Sequence, residues 1–327
     1  MISQSQMYHY RQMVELLKNS RDLLLTAHHD PDADCLGSML GLYHVFAGER
    51  LGWKLVLEDV APPNLRYLPG VELIMRPQQV VGLPAGLLLV DCGEYRRASN
   101  GWLDVYSDLP AYCIDHHVTN EFRGSLAVVE PTASSTGEIV AAMCEYADIP
   151  IAVDAATCLY SAIVSDTGCF RYENTTPRAL EITARLLKLG VDMEQVRIHL
   201  FESRSPAGIS VLQAAFRNMR FVAQGKICYS FVRYEEALAS RAVAADFNNI
   251  ANFTLMRFGV IIGLFFEEYS DGVKVSLRSR QGLRMDELAK TLGGGGHVRA
   301  AGCRIIGNLD HALQLVLAKA KEMLESM

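Results

Sequence analysis

The stretch Leu23-Leu-Leu-Thr-Ala-His-His-Asp-Pro-Asp-Ala-Asp34 joins a short apolar run directly to a cluster of ionisable side chains. An apolar run of this length, bounded by polar turn residues, predicts a strand that is buried on both faces. Residues 36–46 follow with helical spacing, so the unit is predicted to be a strand, a loop and a helix. This order is typical of a parallel α/β sheet, and it places the ionisable side chains just after the strand.

The same order recurs through the first half of the chain. Two later apolar runs, residues 86–91 and 112–115, end in Asp91 and in Asp115-His116-His117. In an open parallel sheet, ligands bind beyond the carboxyl ends of the strands. We therefore expect these polar groups to meet at one edge of the sheet. Further strands are predicted at residues 53–57 and 126–129, and helices at residues 134–146 and 154–164.

The composition is that of an ordinary globular protein, because half of the 327 residues are hydrophobic and 21% are charged. This length suggests two domains of roughly 150 residues each. The eight cysteines show no CxxC pair, so we expect reduced thiols that act as small hydrophobes. The net charge of −6 argues against binding of long duplex nucleic acid and allows a short anionic substrate. The absence of a signal peptide and of an apolar run of about 20 residues predicts a soluble cytoplasmic protein without a membrane partner.

A smaller mixed α/β domain is predicted for the second half of the chain. Residues 220–232 and 259–279 each contain two β-type runs, and the second pair is joined by Tyr269-Ser-Asp-Gly272, a strong hairpin turn signal. Helical spacing follows at residues 284–292 and 309–327. This domain is therefore expected to combine hairpins with two helices.

A segment of mixed character joins the two predicted domains. Residues 177–200 have helical spacing, and Glu202-Ser-Arg-Ser-Pro-Ala-Gly208 is rich in turn-forming residues. We expect residues 1–190 to form a parallel-sheet domain with helices on both faces. Residues 191–214 are then a helical linker, and residues 215–327 the mixed domain.

Eight ionisable residues of the first half form the candidate site. Carboxylates brought together at one edge repel one another, and a bound cation removes this conflict. Mixed carboxylate and imidazole ligands suit Mn²⁺ and also admit Mg²⁺, Fe²⁺ or Co²⁺. The number of carboxylates favours two ions, with Asp91 as the natural bridge between them. The alternative is that an individual aspartate has a structural role and binds no metal, since Asp34 before Leu36 fits a helix N-cap. The eight residues are His28, Asp32, Asp34, Asp91, Asp115, His116, His117 and Asp166.

Four ordered motifs within residues 21–175 resemble those of the DHH phosphoesterase superfamily. They are His28-x-x-Pro31-Asp32-x-Asp34, Asp91-Cys92-Gly93, Asp115-His116-His117 and Ser165-Asp166-Thr167-Gly168. The resemblance implies catalysis by Asp91, His116 and His117, with His117 facing the substrate phosphate or the leaving group. Asp115 is expected to orient a neighbouring histidine. Two Mn²⁺ ions are implied, one held by His28, Asp32 and Asp91, and the other by Asp34, Asp91, His116 and Asp166.

The run Gly293-Gly-Gly-Gly-His297, followed by Ala300-Ala-Gly302, is the second strong signal. Consecutive glycines expose backbone N–H groups and allow positive φ, which suits an anion-binding nest. A helix that starts near His297 would direct its N-terminus towards a bound phosphate. The alternatives are a flexible glycine linker and, for the nearby arginines, a solvated basic face. The pattern resembles the DHH-associated domain, which implies substrate binding by Arg278, Ser279, Gly294, Gly295, Gly296 and His297.

The order of the two domains is similar to that of the nanoRNase and 3′-phosphoadenosine 5′-phosphate (pAp) phosphatase group. The resemblance implies hydrolysis of RNAs of about two to five nucleotides to mononucleotides by metal-activated water. It also implies pAp as a second substrate and a homodimer. The same site chemistry fits a cyclic or linear dinucleotide phosphodiesterase. A non-catalytic nucleotide-binding protein is a further alternative, but it would be expected to have lost metal ligands that are all present here.

Overall fold

The strands predicted for the first half of the chain form a single parallel sheet in the computed structural model, which describes residues 4–47, 51–280 and 282–326. The strands are β1 Leu23–Thr26, β2 Lys54–Leu55, β3 Gly86–Val90, β4 Ala111–Asp115 and β5 Leu126–Val129. They lie in the order β2-β1-β3-β4-β5, and every neighbouring pair is parallel. The predicted fold class is confirmed. The chain divides into two compact units, Met1–Ser203 and Arg204–Met327, and this sheet belongs to the first.

Both faces of this sheet are buried, which explains the continuous apolar runs in its strands. Successive side chains of a strand point to opposite faces. Leu23 and Leu25 accordingly pack into the larger apolar core, while Leu24 belongs to a second core cluster. A parallel sheet covered on two sides needs apolar residues in both directions, so alternation of polar and apolar residues is absent from its central strands.

The four helices predicted for the first unit are present, with two differences in their bounds, whereas the helices over residues 4–19 and 95–98 were not predicted. The helix expected from residue 36 begins at Ala33, because Oδ1 of Asp32 accepts hydrogen bonds from the N–H groups of Asp34 and Cys35 at 3.0 Å. The N-cap alternative for Asp34 is therefore wrong. The helix expected over residues 177–200 is divided near Gly190, whose φ of 100° favours glycine. The helices are α1 Gln4–Asn19, α2 Ala33–Leu42, α3 Tyr95–Ala98, α4 Thr136–Tyr146, α5 Val153–Asp166, α6 Pro177–Lys188 and α7 Met193–Arg197, with π-helical turns at Tyr43–Ala47 and Ile198–Glu202.

Close packing of α2 on α5 sets the position of Asp34 relative to Asp166. A Cβ atom at Gly37 would lie 2.4 Å from the carbonyl oxygen of Cys158 and 3.1 Å from Cβ of Ala162. A backbone carbonyl inside a helix cannot rotate away as a side chain can. Glycine is therefore required at residue 37 for the two helices to approach this closely.

We expect Gly37→Ala to destabilise the protein by about 2 kcal/mol. Overpacking costs about 1–3 kcal/mol, and a clash with backbone lies at the upper end of this range. The better helix propensity of alanine returns about 1 kcal/mol. Gly41→Ala is the matched control, because the nearest neighbours of its Cβ would be side-chain atoms of Leu159, Cδ2 at 2.6 Å and Cγ at 2.8 Å, which can shift more readily than a helix backbone. Urea unfolding of the metal-free protein measures both variants, and equal losses would contradict the argument.

The second unit contains a six-stranded mixed sheet. Its strands are β6 Arg220–Val222, β7 Ile227–Val232, β8 Ile262–Tyr269, β9 Gly272–Ser279, β10 Gly295–His297 and β11 Ala300–Ile305. They lie in the order β10-β11-β9-β8-β7-β6, in which β7 and β8 are parallel and the other neighbours antiparallel. Both predicted hairpins are present, as β6 with β7 and β8 with β9. The helices are α8 Pro206–Arg217, α9 Tyr234–Ser240, α10 Ile250–Phe253, α11 Met285–Lys290 and α12 Leu309–Glu325.

Three features of this unit differ from the prediction. The short helices α9 and α10 were not predicted. The turn-rich segment at residues 202–208 contains the start of α8, because Ser205 caps the helix and proline occupies its first position. His297 lies in β10 and not at the start of a helix, so the expected helix N-terminus at this point is wrong. The pairing of Gly296 with Ala301 explains the strand, since a Cβ at residue 296 would lie 2.6 Å from Cα of Ala301. Over the described residues, no helix has the length and apolar character needed to cross a membrane.

Candidate metal centre

Asp91 directly follows β3 and lies between two histidines. Its Oδ2 atom is 3.4 Å from Nε2 of His28, and its Oδ1 atom is 3.7 Å from Nε2 of His116. The side chain is buried, and its backbone has a φ of 56°, a left-handed conformation that aspartate tolerates better than most residues. The N–H group of Asp91 donates to the carbonyl of Ile114 in β4 at 2.9 Å. The backbone is thereby held with one carboxylate oxygen towards each histidine.

His116 faces three carboxylates that come from different elements. Its Nε2 atom lies 3.6 Å from Oδ2 of Asp34 in α2. The same nitrogen is 3.7 Å from Oδ1 of Asp91 and 3.7 Å from Oδ2 of Asp166, the last residue of α5. The structure therefore brings together the four residues that the motifs assign to the second ion.

A second group of metal-binding side chains gathers at the start of α2. The nitrogen, oxygen and sulfur atoms that His28, Asp32 and Cys35 offer lie within 4.8 Å of one another. His28 is buried, whereas the side chain of Asp32 is exposed. The sequence pattern predicts cysteines in the apolar core and no thiol at this site. Cys35 is indeed buried in the core, so its proximity to these ligands is visible only in the folded chain.

Asp115 hydrogen-bonds to His117. Its Oδ1 atom accepts hydrogen bonds from Nδ1 of His117 at 2.7 Å and from the backbone N–H of the same residue at 3.1 Å. Its other oxygen accepts a hydrogen bond from Nδ2 of Asn120 at 2.6 Å. Burial by itself lowers the pKa of His117, but the hydrogen bond with Asp115 and the charges of Asp91 and Asp115 outweigh it, so the pKa is raised.

The electrostatics of the buried carboxylates fit a bound cation. Burial, reinforced by the charge of Asp91, raises the pKa of Asp34 well above its usual value. Burial also acts to raise the pKa of Asp91, but its hydrogen bond with His28 and the charges of the histidines hold it below the usual range. For His28, burial lowers the pKa, but the interactions with Asp91 and Asp32 raise it to about 9. Among the described residues, the ion pairs of Asp34, Asp91 and Asp166 are all with histidines. Carboxylate oxygens and imidazole nitrogens around one buried space are a donor set for ions such as Mn²⁺ or Mg²⁺.

The first turn of α4 holds Asp34 and was missed as part of the site. The N–H groups of Thr136 and Gly137 donate to the two oxygens of Asp34 at 2.8 and 3.0 Å, and the hydroxyl of Ser38 donates to it at 3.1 Å. The hydroxyl of Thr136 also donates to Oδ1 of Asp91 at 2.8 Å. A sequence signal for this helix start exists, because Ser135-x-x-Glu138 is a capping-box pattern that leaves backbone N–H groups available at a helix N-terminus.

The predicted substrate-binding residues of the second unit lie around the end of β9. Nε of Arg278 donates to Oδ1 of Asn252 at 2.9 Å, which orients the guanidinium group. The hydroxyl of Ser279 is buried and donates to the carbonyl of Leu283 at 2.6 Å. Gly294 is half-buried, and Gly295 and Gly296 are exposed along the backbone of β10. The side chain of His297 is outside the part of the chain that the structure describes.

Comparisons with known proteins agree with this arrangement. Residues 22–163 match the DHH family, N-terminal domain, and residues 224–325 match the DHHA1 domain. The chain is similar to the bifunctional oligoribonuclease and PAP phosphatase NrnA of Thermus thermophilus, with 31% identity over 316 residues, which cover 96% of this chain and 94% of that protein.

A second relative and a solved structure extend the comparison. The cyclic-di-AMP phosphodiesterase PdeA of Listeria monocytogenes is 26% identical over 316 residues, which cover 89% of this chain and 46% of that protein. The crystal structure of an exopolyphosphatase-related protein from Bacteroides fragilis has the same fold, with a TM-score of 0.86 and 22% identity. That match covers 98% of this chain and 96% of the solved chain.

Proposed function

The chain belongs to the DHH family, with a DHH domain followed by a DHHA1 domain, and from this premise we propose that it is a metal-dependent phosphoesterase. Its proposed substrates are RNAs of about two to five nucleotides, which it hydrolyses to mononucleotides with divalent ions as cofactors. It is also proposed to convert pAp to AMP. The name of the T. thermophilus relative, which is similar over nearly the whole length of both proteins, supports both reactions.

The observation that carries this proposal is the position of Asp91. Its two carboxylate oxygens approach His28 and His116 at 3.4 and 3.7 Å, respectively. A carboxylate between two groups of donors is what a ligand shared by two ions requires. Mn²⁺ is the proposed ion, with Mg²⁺ or Co²⁺ as substitutes, because the donors are oxygen and imidazole nitrogen. The proposed ligands are His28, Asp32 and Asp91 for one ion, and Asp34, Asp91, His116 and Asp166 for the other.

His117 is proposed to exchange a proton with the substrate. Metal ions bound here would activate water and neutralise charge on the phosphate. Nδ1 of His117 is engaged by Asp115 at 2.7 Å, so the ring nitrogen that meets a substrate is Nε2. This hydrogen bond sets the orientation of the ring, and the Asp115 carboxylate favours the protonated imidazole by raising the pKa of His117. A protonated Nε2 can donate to the leaving oxygen as a general acid.

The DHHA1 domain is proposed to bind the nucleotide. The planar guanidinium group of Arg278 is suited to phosphate, and its hydrogen bond with Asn252 restricts its orientation. The backbone of Gly294, Gly295 and Gly296, together with His297, is proposed to line the same site. Ser279 is assigned a supporting role, since its hydroxyl already donates to a backbone carbonyl. A net charge of −6 over the whole chain is compatible with a short substrate held locally.

Replacement of Arg278 with methionine is expected to raise KM for a diribonucleotide by about tenfold to hundredfold. Hydrogen bonds to charged groups contribute about 1.5–3 kcal/mol, and about 1.4 kcal/mol corresponds to a factor of ten. Arg304→Met is the matched control, because Arg304 lies on the adjacent strand β11 and pairs with the exposed Asp271. Steady-state kinetics on both variants measure the effect. An unchanged KM for Arg278→Met, or a loss of Mn²⁺ binding in this variant, would contradict the assignment.

The direct test of the proposal is a time course on a 5′-phosphorylated diribonucleotide. Parallel reactions contain Mn²⁺ or EDTA, and further reactions contain pAp, cyclic di-AMP or pyrophosphate. We expect release of mononucleotides and of AMP from pAp in the presence of Mn²⁺, and no release in EDTA. Failure to hydrolyse the dinucleotide and pAp under all metal conditions would contradict the proposed activity.

A cyclic dinucleotide phosphodiesterase is the second candidate. The similarity to PdeA of L. monocytogenes supports it, but that match covers less than half of the relative and has a lower identity than the match to NrnA. Preferential turnover of cyclic di-AMP in the same experiment would favour this candidate with the same site residues. The homodimer, the cytoplasmic location and the domain boundaries after residues 190 and 214 stay predictions.

A further inference from the structure

We propose that Thr136 and Arg178 are positioning residues, which hold the metal-binding carboxylates in place through the segment 130–138. The inference rests on the proposed metal centre. Neither residue belongs to the four ordered motifs of the first domain. The segment runs from the end of β5 into the first turn of α4. It contacts the ligands Asp34 and Asp91 directly and the ligand Asp166 through Asn174.

Thr136 is bonded to two proposed ligands at once. Its N–H group donates to Oδ2 of Asp34 at 2.8 Å, and its hydroxyl donates to Oδ1 of Asp91 at 2.8 Å. Gly137 adds an N–H bond to Oδ1 of Asp34 at 3.0 Å. All of these groups are buried, and the N-terminus of α4 carries the partial positive charge that favours a carboxylate. Thr136 therefore restrains both the shared ligand and a ligand of the second ion.

The same segment reaches a third ligand through Asn174. Nδ2 of Asn174 donates to the carbonyl of Ser134 at 2.9 Å and to the carbonyl of Asp166 at 3.0 Å. It also lies 3.3 Å from Oδ2 of Asp166, within hydrogen-bond distance. A shift of the segment would therefore be transmitted to Asp34, Asp91 and Asp166 together.

Arg178 in α6 holds both ends of the segment. Its guanidinium group donates to Oε2 of Glu130 at 3.0 Å and makes a short hydrogen bond with Glu138. Glu130 directly follows β5, and Glu138 lies in the first turn of α4. Oε2 of Glu138 in turn accepts a hydrogen bond from the N–H group of Ser134 at 2.7 Å. Both glutamates are buried, at 2% and 0% exposure, and one guanidinium group serves them both.

This arrangement is better explained by positioning than by stability alone. A buried ion pair often adds little to stability, because desolvation of its charges offsets their attraction. Removal of a group that hydrogen-bonds to a metal ligand, in contrast, commonly weakens metal affinity by about 10–100-fold. The chain contains a natural comparison, since Arg185 and Glu145 join the same two helices at 2.7 Å but lie at the exposed surface. Glu145 is about two helical turns from Glu138, away from the first turn of α4.

The first test replaces Thr136. Thr136→Val has nearly the same shape, retains both backbone hydrogen bonds to Asp34 and loses only the hydroxyl donor to Asp91. We expect it to raise the dissociation constant for Mn²⁺ at least about tenfold, as measured by the free-Mn²⁺ signal in electron paramagnetic resonance. Thr136→Ser restores the hydroxyl and is expected to bind Mn²⁺ within about threefold of the wild-type chain. Equal affinity of the valine and wild-type chains would overturn the role of Thr136.

The second test compares Arg178→Met with Arg185→Met. We expect weaker Mn²⁺ binding for Arg178→Met and no change for Arg185→Met. The loss for Arg178→Met should be smaller than the roughly tenfold expected for Thr136→Val, because Arg178 acts on the ligands through the segment and not directly. If the unpaired glutamates prevent folding, Arg178→Met is combined with Glu130→Gln and Glu138→Gln, which removes the charges and keeps the shapes. A lower melting temperature of the metal-free variant with unchanged Mn²⁺ affinity would show a purely structural role and overturn the proposal. A wild-type chain that binds no Mn²⁺ contradicts the metal centre itself, so the two failures are distinguishable.

Discussion

Asp91→Asn is expected to fold and to hydrolyse a diribonucleotide at less than about one thousandth of the wild-type rate. Asparagine has the size of aspartate and tolerates the left-handed backbone found at residue 91, where φ is 56°. The substitution removes the negative charge that lies between His28 and His116. Because one carboxylate is proposed to serve both ions, the loss affects both at once, and the electrostatic contribution of a metal pair to phosphoryl transfer is lost with them.

The measurement combines turnover with the number of Mn²⁺ ions bound per chain. We expect two ions for the wild-type chain and at most one for Asp91→Asn. Asp148→Asn is the matched control, since Asp148 also has a left-handed backbone, with a φ of 49°, but is exposed. It should retain full turnover and both ions. Near-normal turnover of Asp91→Asn would exclude a bridging role for this carboxylate.

Substitution of the two adjacent histidines His116 and His117 is expected to have different effects. His116→Asn is expected to abolish binding of the second ion, because Nε2 of His116 lies within 3.7 Å of three carboxylates. His117→Asn is expected to bind Mn²⁺ within about threefold of the wild-type affinity, since its Nδ1 is engaged by Asp115. Its kcat should nevertheless fall by about 10²–10⁴, the usual contribution of a general acid or base.

The pH dependence of kcat distinguishes the roles of these two residues. Loss of a general acid should remove the limb of the profile that reports its ionisation, and this change is expected only for His117→Asn. Isothermal titration with Mn²⁺ provides the affinity of each variant. In the wild-type chain, Nδ1 of His117 lies 3.6 Å from Oδ1 of Asp91. If His117→Asn loses an ion, this short distance reflects a shared role in coordination, and the assignment of His117 as a proton donor is wrong.

Most of the first sheet was predictable because its signals are local. The run Gly86-Leu-Leu-Leu-Val90 has no polar residue to place on a solvent face, so burial on both sides follows from the strand geometry alone. Asp91 and His116 follow such runs and therefore lie at the carboxyl edge. The start of α8 was harder to predict from the sequence, because serine and proline are typical both of turns and of helix N-termini. The strand β10 was missed because glycines carry no side-chain pattern.

The supporting residues of the site could not be predicted in the same way. Asp34 and Gly137 are separated by 103 positions in the chain, and Thr136 and Asp91 by 45. Local patterns describe the conformation of each segment, but they contain no information on which segments meet. Arg178 resembles any charged residue near a helix start until α6 is packed beside α4. Its two buried glutamate partners become evident only from the contacts.

The sequence itself determined the order of the motifs, the types of metal-binding side chain and the placement of these side chains after apolar strands. Backbone propensity and hydrophobic pattern act over only a few residues, so these features can be predicted locally. Tertiary structure alone decided which oxygen of Asp91 faces which histidine, and how His116 comes within reach of three carboxylates. It also brought the thiol of Cys35 close to His28 and Asp32. These contacts depend on strand order and on helices packed at the distance that Gly37 permits, and both arise only when distant segments bury their apolar faces together.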